Sequence, residues 1–123
     1  MFAPNPHSHA KYGGVMSDRY YDVLARCETN STWTHHTKSY TGGLGIYTGT
    51  AARWSGRHRI GKLTPRQQVA IADRIAFKGW TNPKGEYVYP VGPYGWGCVK
   101  NTPLLKQLLC KSQNPLVIKK RRC

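Results

Sequence analysis

Five carboxylates are all that this chain offers for acid–base chemistry: Asp18, Asp22, Glu28, Asp73 and Glu86, set against 19 lysines and arginines. Proton transfer in a reaction needs a positioned side chain whose pKa its surroundings can tune. Glu28 has the most suggestive setting. Tyr20, Tyr21, Leu24 and Cys27 recur at helical spacing, and Glu28 falls beside that apolar face at the helix's C-terminal end. Trp33, Tyr40 and Trp54 follow as aromatic residues that could wall it. Taken alone, Glu28 reads as a solvated surface group, because most glutamates are. Asp22 is poorly placed to share the face of Glu28, and both Asp22 and Asp73 read as salt-bridged surface groups.

Metal chemistry finds no framework. The cysteines stand at 27, 98, 110 and 123 and form no CxxC pair. His7, His9, His35, His36 and His58 have no finger-like spacing to a cysteine. No metal and no cofactor is expected. Free thiols and disulfides both remain open at this level.

The elements that must hold these residues can be read in outline. Ser17 is an N-cap and Asp18 suits the positive end of the first helix. Residues 29–43 are polar and Thr-rich and end in Gly42-Gly43, a loop or short irregular hairpin. Leu44–Tyr47 reads as a brief strand and Thr48–Trp54 as a short helix closed by Ser55-Gly56. Residues 57–63 form a basic loop. Thr64-Pro65-Arg66-Gln67 is a strong helix start: a cap, a proline at the first helical position and a capping-box glutamine. Its apolar stripe (Val69, Ile71, Ala72, Ile75, Ala76, Phe77) runs to about Lys78, with Gly79 as the stop. Residues 81–95 are broken by Pro83, Gly85, Pro90, Gly92 and Pro93, leaving room for a short hairpin around Glu86–Tyr89. Thr102-Pro103 opens a last helix, Leu104 to about Ser112, which Pro115 ends. Lys119-Lys120-Arg121-Arg122 is a basic tail.

A chain of 123 residues with 39% hydrophobic content suits one compact domain with a modest core. No apolar run reaches the length of a membrane span. The formal net charge of +14 attracts polyanions, whether nucleic acid, anionic membrane or an acidic cell wall. Residues 1–14 lack the apolar region of a secretory signal, so a virus particle or release on lysis is the expected route out of a cell.

A resemblance narrows these choices. Tyr21 to Trp33, with Cys27-Glu28 at the helix end, resembles the start of the resuscitation-promoting-factor or transglycosylase-like domain, a family of the lysozyme-like superfamily. Tyr40-Thr41-Gly42-Gly43-Leu44 resembles its aromatic-x-Gly-Gly-hydrophobic segment, and Gly49-Thr50 the Gly-Thr that follows. Arg66 to Ala72 is similar to its second long helix. Gly79-Trp80 and Trp96-Gly97-Cys98 resemble its Gly/Trp-rich ending. These five motifs occur in the family's order over residues 17–98.

The resemblance implies an α+β, mainly helical, small lysozyme-like domain with a short irregular β segment and a groove. It implies a domain at 17–98, with 81–92 as an inserted loop; outside it, residues 1–16 read as a flexible arm and 99–123 as a C-terminal helix and basic tail. It implies a Cys27–Cys98 disulfide, worth roughly 4 kcal/mol in the chain-entropy model. It makes Glu28 the general acid of a glycosidase that cleaves the β-1,4 bond between N-acetylmuramic acid and N-acetylglucosamine, as a lytic transglycosylase or a muramidase. Trp33, Tyr40, Tyr47, Thr50, Trp54 and Lys78 become the substrate-binding residues. Gly45 stands where the family has Gln, Tyr47 and Lys78 replace polar groove residues, and Asn30-Ser31 replaces a Gly-Gly. Cys110 and Cys123 match nothing in the family; they pair with each other, pair with another chain, or stay free.

The leading expectation is a phage virion-associated enzyme degrading the cell wall, extracellular or carried on the particle. Its partners are peptidoglycan glycan strands and other virion proteins, with no membrane. A structural tail protein that keeps the fold without catalysis is the alternative. A nucleic-acid binder ranks third, because no recognisable nucleic-acid motif accompanies the charge.

Overall fold

Helix α1 spans Asp18–Thr29 and buries Tyr20, Tyr21, Leu24 and Ala25, the face its periodicity predicts. It ends at Asn30 and Ser31, which take left-handed φ values of 53° and 60°. The computed structural model describes residues 5–123, and among these no other non-glycine residue has a positive φ. Such backbone is costly for a side chain, so this turn is held by its surroundings. The Ser31 N–H bonds to the carbonyl of Ala25, and Thr29 Oγ1 donates to the carbonyl of Gly43 at 2.7 Å.

Two short hairpins and five more helices follow. Strands β1 (Tyr40–Thr41) and β2 (Ile46–Tyr47) pair antiparallel, with Tyr40 opposite Tyr47. Helix α2 is Thr48–Ser55. Helix α3 is Pro65–Asp73, with the predicted capping box of Thr64 and Gln67 fully formed. It continues as a π-helical turn, Arg74–Lys78, and stops at Gly79. Strands β3 (Trp80–Thr81) and β4 (Tyr87–Val88) make the second hairpin. Helices α4 (Gly97–Asn101), α5 (Pro103–Lys111) and α6 (Pro115–Ile118) complete an α+β, mainly helical domain. No helix among the described residues is long and apolar enough to cross a membrane.

The core joins α1, α3 and the C-terminal helices, with Tyr21, Leu24, Val69, Phe77, Val99, Leu105 and Val117 all buried. Among the described residues, three polar side chains are buried with it: Thr41, Gln68 and Asp73. Gln68 is fully buried; it accepts from the Gly43 N–H at 2.8 Å and donates to the carbonyls of Trp33 and Leu63, both at 2.9 Å. It therefore pins three loop segments to α3. Leaving a buried polar group unpaired costs about 1–3 kcal/mol. Gln68→Leu should destabilise the fold by about 3 kcal/mol or more, read as a lowered midpoint in urea; a change within error would show that these bonds hold nothing.

Several expectations are corrected. The arm expected at 1–16 is not free where it is described. Tyr12, Val15 and Met16 are buried, Asp18 accepts the N–H groups of Lys11 and Tyr12, and Arg66 reaches the carbonyl of Ala10. Residues 1–4 lie outside the described residues. Asp73 is not on the surface but buried, accepting from the Tyr21 hydroxyl and the Val15 N–H. Burial pushes its carboxyl up to about 6, against those two bonds. Asp22 does form the expected surface pair, with Lys11 at 2.9 Å. Pro115 begins α6 rather than only ending α5, because Asn114 caps the new helix by accepting from the Leu116 N–H. The basic tail is folded back: Cys123 is bonded to Cys110, Arg121 donates to the carbonyls of Cys110 and Ser112, and the Arg122 guanidinium lies over the Tyr94 ring.

Candidate active site

Three loop segments converge on the C-terminal end of α1. The first is the β1–β2 hairpin, held down by the Thr29–Gly43 and Gln68–Gly43 bonds described above. The second is the π turn that ends α3, an element often found at functional sites; its Ile75 faces the opening. The third is residues 91–98, anchored where Trp96 Nε1 donates to the Leu44 carbonyl at 2.9 Å. Between them lies a cleft of about 660 Å³.

Glu28 lines this cleft, half-buried, with Tyr40, Tyr47 and Thr50 on the hairpin side and Trp96 and Val91 on the other. Its Oε1 accepts the backbone N–H of Cys98 at 3.2 Å. The Cys27–Cys98 disulfide, with 6.1 Å between Cα atoms, brings that donor to the carboxylate. Burial raises the Glu28 carboxyl above its ordinary value, and the single Cys98 bond only partly opposes it. A buried acid with few partners for its anion holds its proton to higher pH. Gly45 leaves the second oxygen open. Its φ is +61°, and a Cβ there would stand 3.1 Å from Oε2.

No other acid lines the cleft. Asp18 and Asp22 are engaged by the Lys11–Tyr12 segment, and Asp73 is bound by Tyr21 and Val15 in the core. Glu86 sits in the turn of the second hairpin, where its N–H donates to Asn82.

Of the residues expected to form the groove, Tyr40, Tyr47 and Thr50 do so with Glu28. Trp33, Trp54 and Lys78 do not. Trp33 turns away from the cleft: its ring meets Tyr12 at 5.4 Å between centroids, and it packs where a side chain on Gly43 would be. Trp54 shares the inner face of α2 with Ala51 and is 3% exposed, so it is core. The Lys78 side chain is exposed at the end of the π turn, and only its carbonyl is engaged, by the Tyr87 hydroxyl at 2.7 Å. Sequence reasoning missed His35, Ile75, Val91 and Trp96. Trp96 carried one signal, its place between Gly95 and Gly97, where a large ring can reach past small neighbours. The other three are brought in by chain packing that no local pattern announces.

The arrangement suits proton delivery to an extended ligand. One acid with a raised pKa faces an open trough with exposed tyrosines on its rim. Tyr40 and Tyr47 meet edge to face, 6.2 Å between ring centroids. No family model, no curated protein and no solved structure matches this chain.

Proposed function

We propose that the cleft binds a peptidoglycan glycan strand and that Glu28 protonates the oxygen of the β-1,4 bond between N-acetylmuramic acid and N-acetylglucosamine. The observation that carries this reading is Glu28 itself: the one carboxyl in the cleft, half-buried, with its pKa raised by burial. A general acid must be protonated at working pH, and burial is the usual means.

The chemistry follows from the lack of a second acid. Glycosidases with two carboxylates use the second as nucleophile or as base for water. Here no second carboxylate lines the cleft. Glu28 gives its proton to the leaving sugar's oxygen, the glycosidic bond breaks, and the anomeric carbon gains oxocarbenium character. The muramic 6-hydroxyl or a water then bonds to that carbon, and the Glu28 carboxylate takes the proton the nucleophile sheds. The first nucleophile gives an anhydro end, the second a reducing end.

Two features support the resemblance to the transglycosylase-like family. Asn30 and Ser31, which replace its Gly-Gly, adopt the left-handed backbone that glycines serve. The Cys27–Cys98 bond that the resemblance implies is formed. All four cysteines are paired, which suits work outside a reducing cytosol, as on a phage particle meeting its host's wall. The net charge of +14 would draw the protein to the acidic wall.

Purified cell walls in suspension provide the test. The protein should clear their turbidity and give a lytic band in a wall-impregnated gel. Walls that stay intact over hours at micromolar protein would contradict the reading and favour a structural tail protein without catalysis.

A further inference from the structure

The second hairpin carries a row of exposed apolar side chains that the proposed chemistry does not use. Tyr87, Tyr89 and Val91 alternate along the chain and are 49%, 77% and 72% exposed. The two tyrosine rings meet edge to face at 4.9 Å, so they share one side of the hairpin. Val91 lines the cleft that holds Glu28. The row therefore starts at the lip of the cleft and leads away from it.

This row is held firmly. The Val91 N–H donates to the carbonyl of Ile75 at 2.8 Å, and the Tyr87 hydroxyl donates to the carbonyl of Lys78. Gly79 has no space for a side chain, because the Tyr87 hydroxyl and the Val88 carbonyl fill that position. At the tip, Asn82 Oδ1 accepts the N–H groups of Lys84 and Glu86, both at 3.0 Å. The Arg74 guanidinium stacks on Trp80 at 4.6 Å, fixing the base. Exposed apolar side chains set side by side on a tied-down hairpin are candidates for a binding site.

We propose that Tyr87 and Tyr89 form an additional glycan subsite, stacking on the sugar units of the strand that continue past the cleft at the Val91 lip. This rests on the proposed function of the cleft and names what extends it. Pyranose rings present an axial C–H face that packs on the electron-rich face of an aromatic ring. The occupant is set by continuity: a polymer threaded over Glu28 and leaving past Val91 meets Tyr89 next. Trp96 and the Tyr40–Tyr47 pair hold the strand inside the cleft; the hairpin grips what emerges.

The test uses the full chain with Glu28→Gln, so that ligand is bound and not cut. Its probes are soluble, uncross-linked peptidoglycan glycan strands of two lengths, a tetrasaccharide and an octasaccharide or longer, followed by calorimetry. Tyr89→Ala should weaken the long strand by roughly fivefold, the size expected for one lost aromatic contact, and leave the short one unchanged. Tyr89→Phe should restore the long-strand affinity. If both lengths bind and Tyr89→Ala alters neither, the subsite is wrong while the cleft reading stands; a hairpin that docks a protein instead would behave this way. An equal loss on both lengths also overturns the subsite. Binding of neither length to the parent protein overturns the cleft reading and the subsite together.

Discussion

Glu28→Gln should lower the rate of wall cleavage by about a thousandfold, within the range that general acid catalysis supplies. Glutamine keeps the size of the side chain and an oxygen for the Cys98 N–H, but has no proton to give. The fold should survive, and the sign of the stability change can be worked out. Burial raises the Glu28 pKa in the folded chain above its unfolded value. The stability linked to such a group is present below the unfolded pKa, about 4.3 for glutamate, and is lost as pH rises through the folded value. Above that folded value the ionised Glu28 therefore works against folding. There Glu28→Gln should be at least as stable as the parent, and its advantage should vanish at more acid pH. The rate of the parent should fall as pH rises through the Glu28 pKa, and the variant's residual rate should lack that limb. Comparing thermal melts and pH–rate profiles of the two proteins checks both parts. A variant that unfolds, or one that cleaves at the parent's rate, would remove the assignment.

The second large effect concerns the bridge that positions Glu28. Cys27 and Cys98 are 71 residues apart in sequence. Opening a loop of that length should cost about 4 kcal/mol in the chain-entropy model. The double variant Cys27→Ser, Cys98→Ser should show this as a lowered denaturant midpoint. It should also lose activity per folded molecule, by about tenfold or more, because the Cys98 N–H that meets Glu28 would drift, and small displacements at a reacting centre are expensive. The second bridge is the control. Cys110 and Cys123 are 13 residues apart and line no part of the cleft. Their removal should cost about 3 kcal/mol by the same model with little change in rate per folded molecule. If both pairs of serines changed the rate alike, the first bridge would have no positioning role.

The parts of the fold legible in the sequence are those that local chemistry decides. The Thr64–Gln67 capping box, the apolar face of α1 and the glycine stop at Gly79 depend on residues within a few positions of one another, and each forms as expected. What escaped depends on distant partners. Asp73 reads as a surface acid until Tyr21 and Val15, more than fifty residues away, enclose it. Gln68 reads as one more helix polar residue until it binds three loop segments. The π turn is invisible to a 3.6-residue pattern. The site divides in the same way. Glu28, Tyr40, Tyr47 and Thr50 belong to the end of α1 and the hairpin clamped against it. Trp33 and Trp54 were expected at the cleft because they are aromatic and near in sequence, but a ring can as well fill a core, and only packing decides which. Val91 and Ile75 reach the cleft through the bond between their own backbones, which no motif records.

The central claim is that Glu28 breaks a glycosidic bond in the wall, and mass spectrometry of the soluble products from purified peptidoglycan tests it most directly. The parent protein should release muropeptides with new N-acetylmuramic ends, either anhydro or reducing, and Glu28→Gln should release none above the no-protein control. Digestion that yields no new muramic ends with the parent, or the same ends in equal amount with Glu28→Gln, would contradict the account.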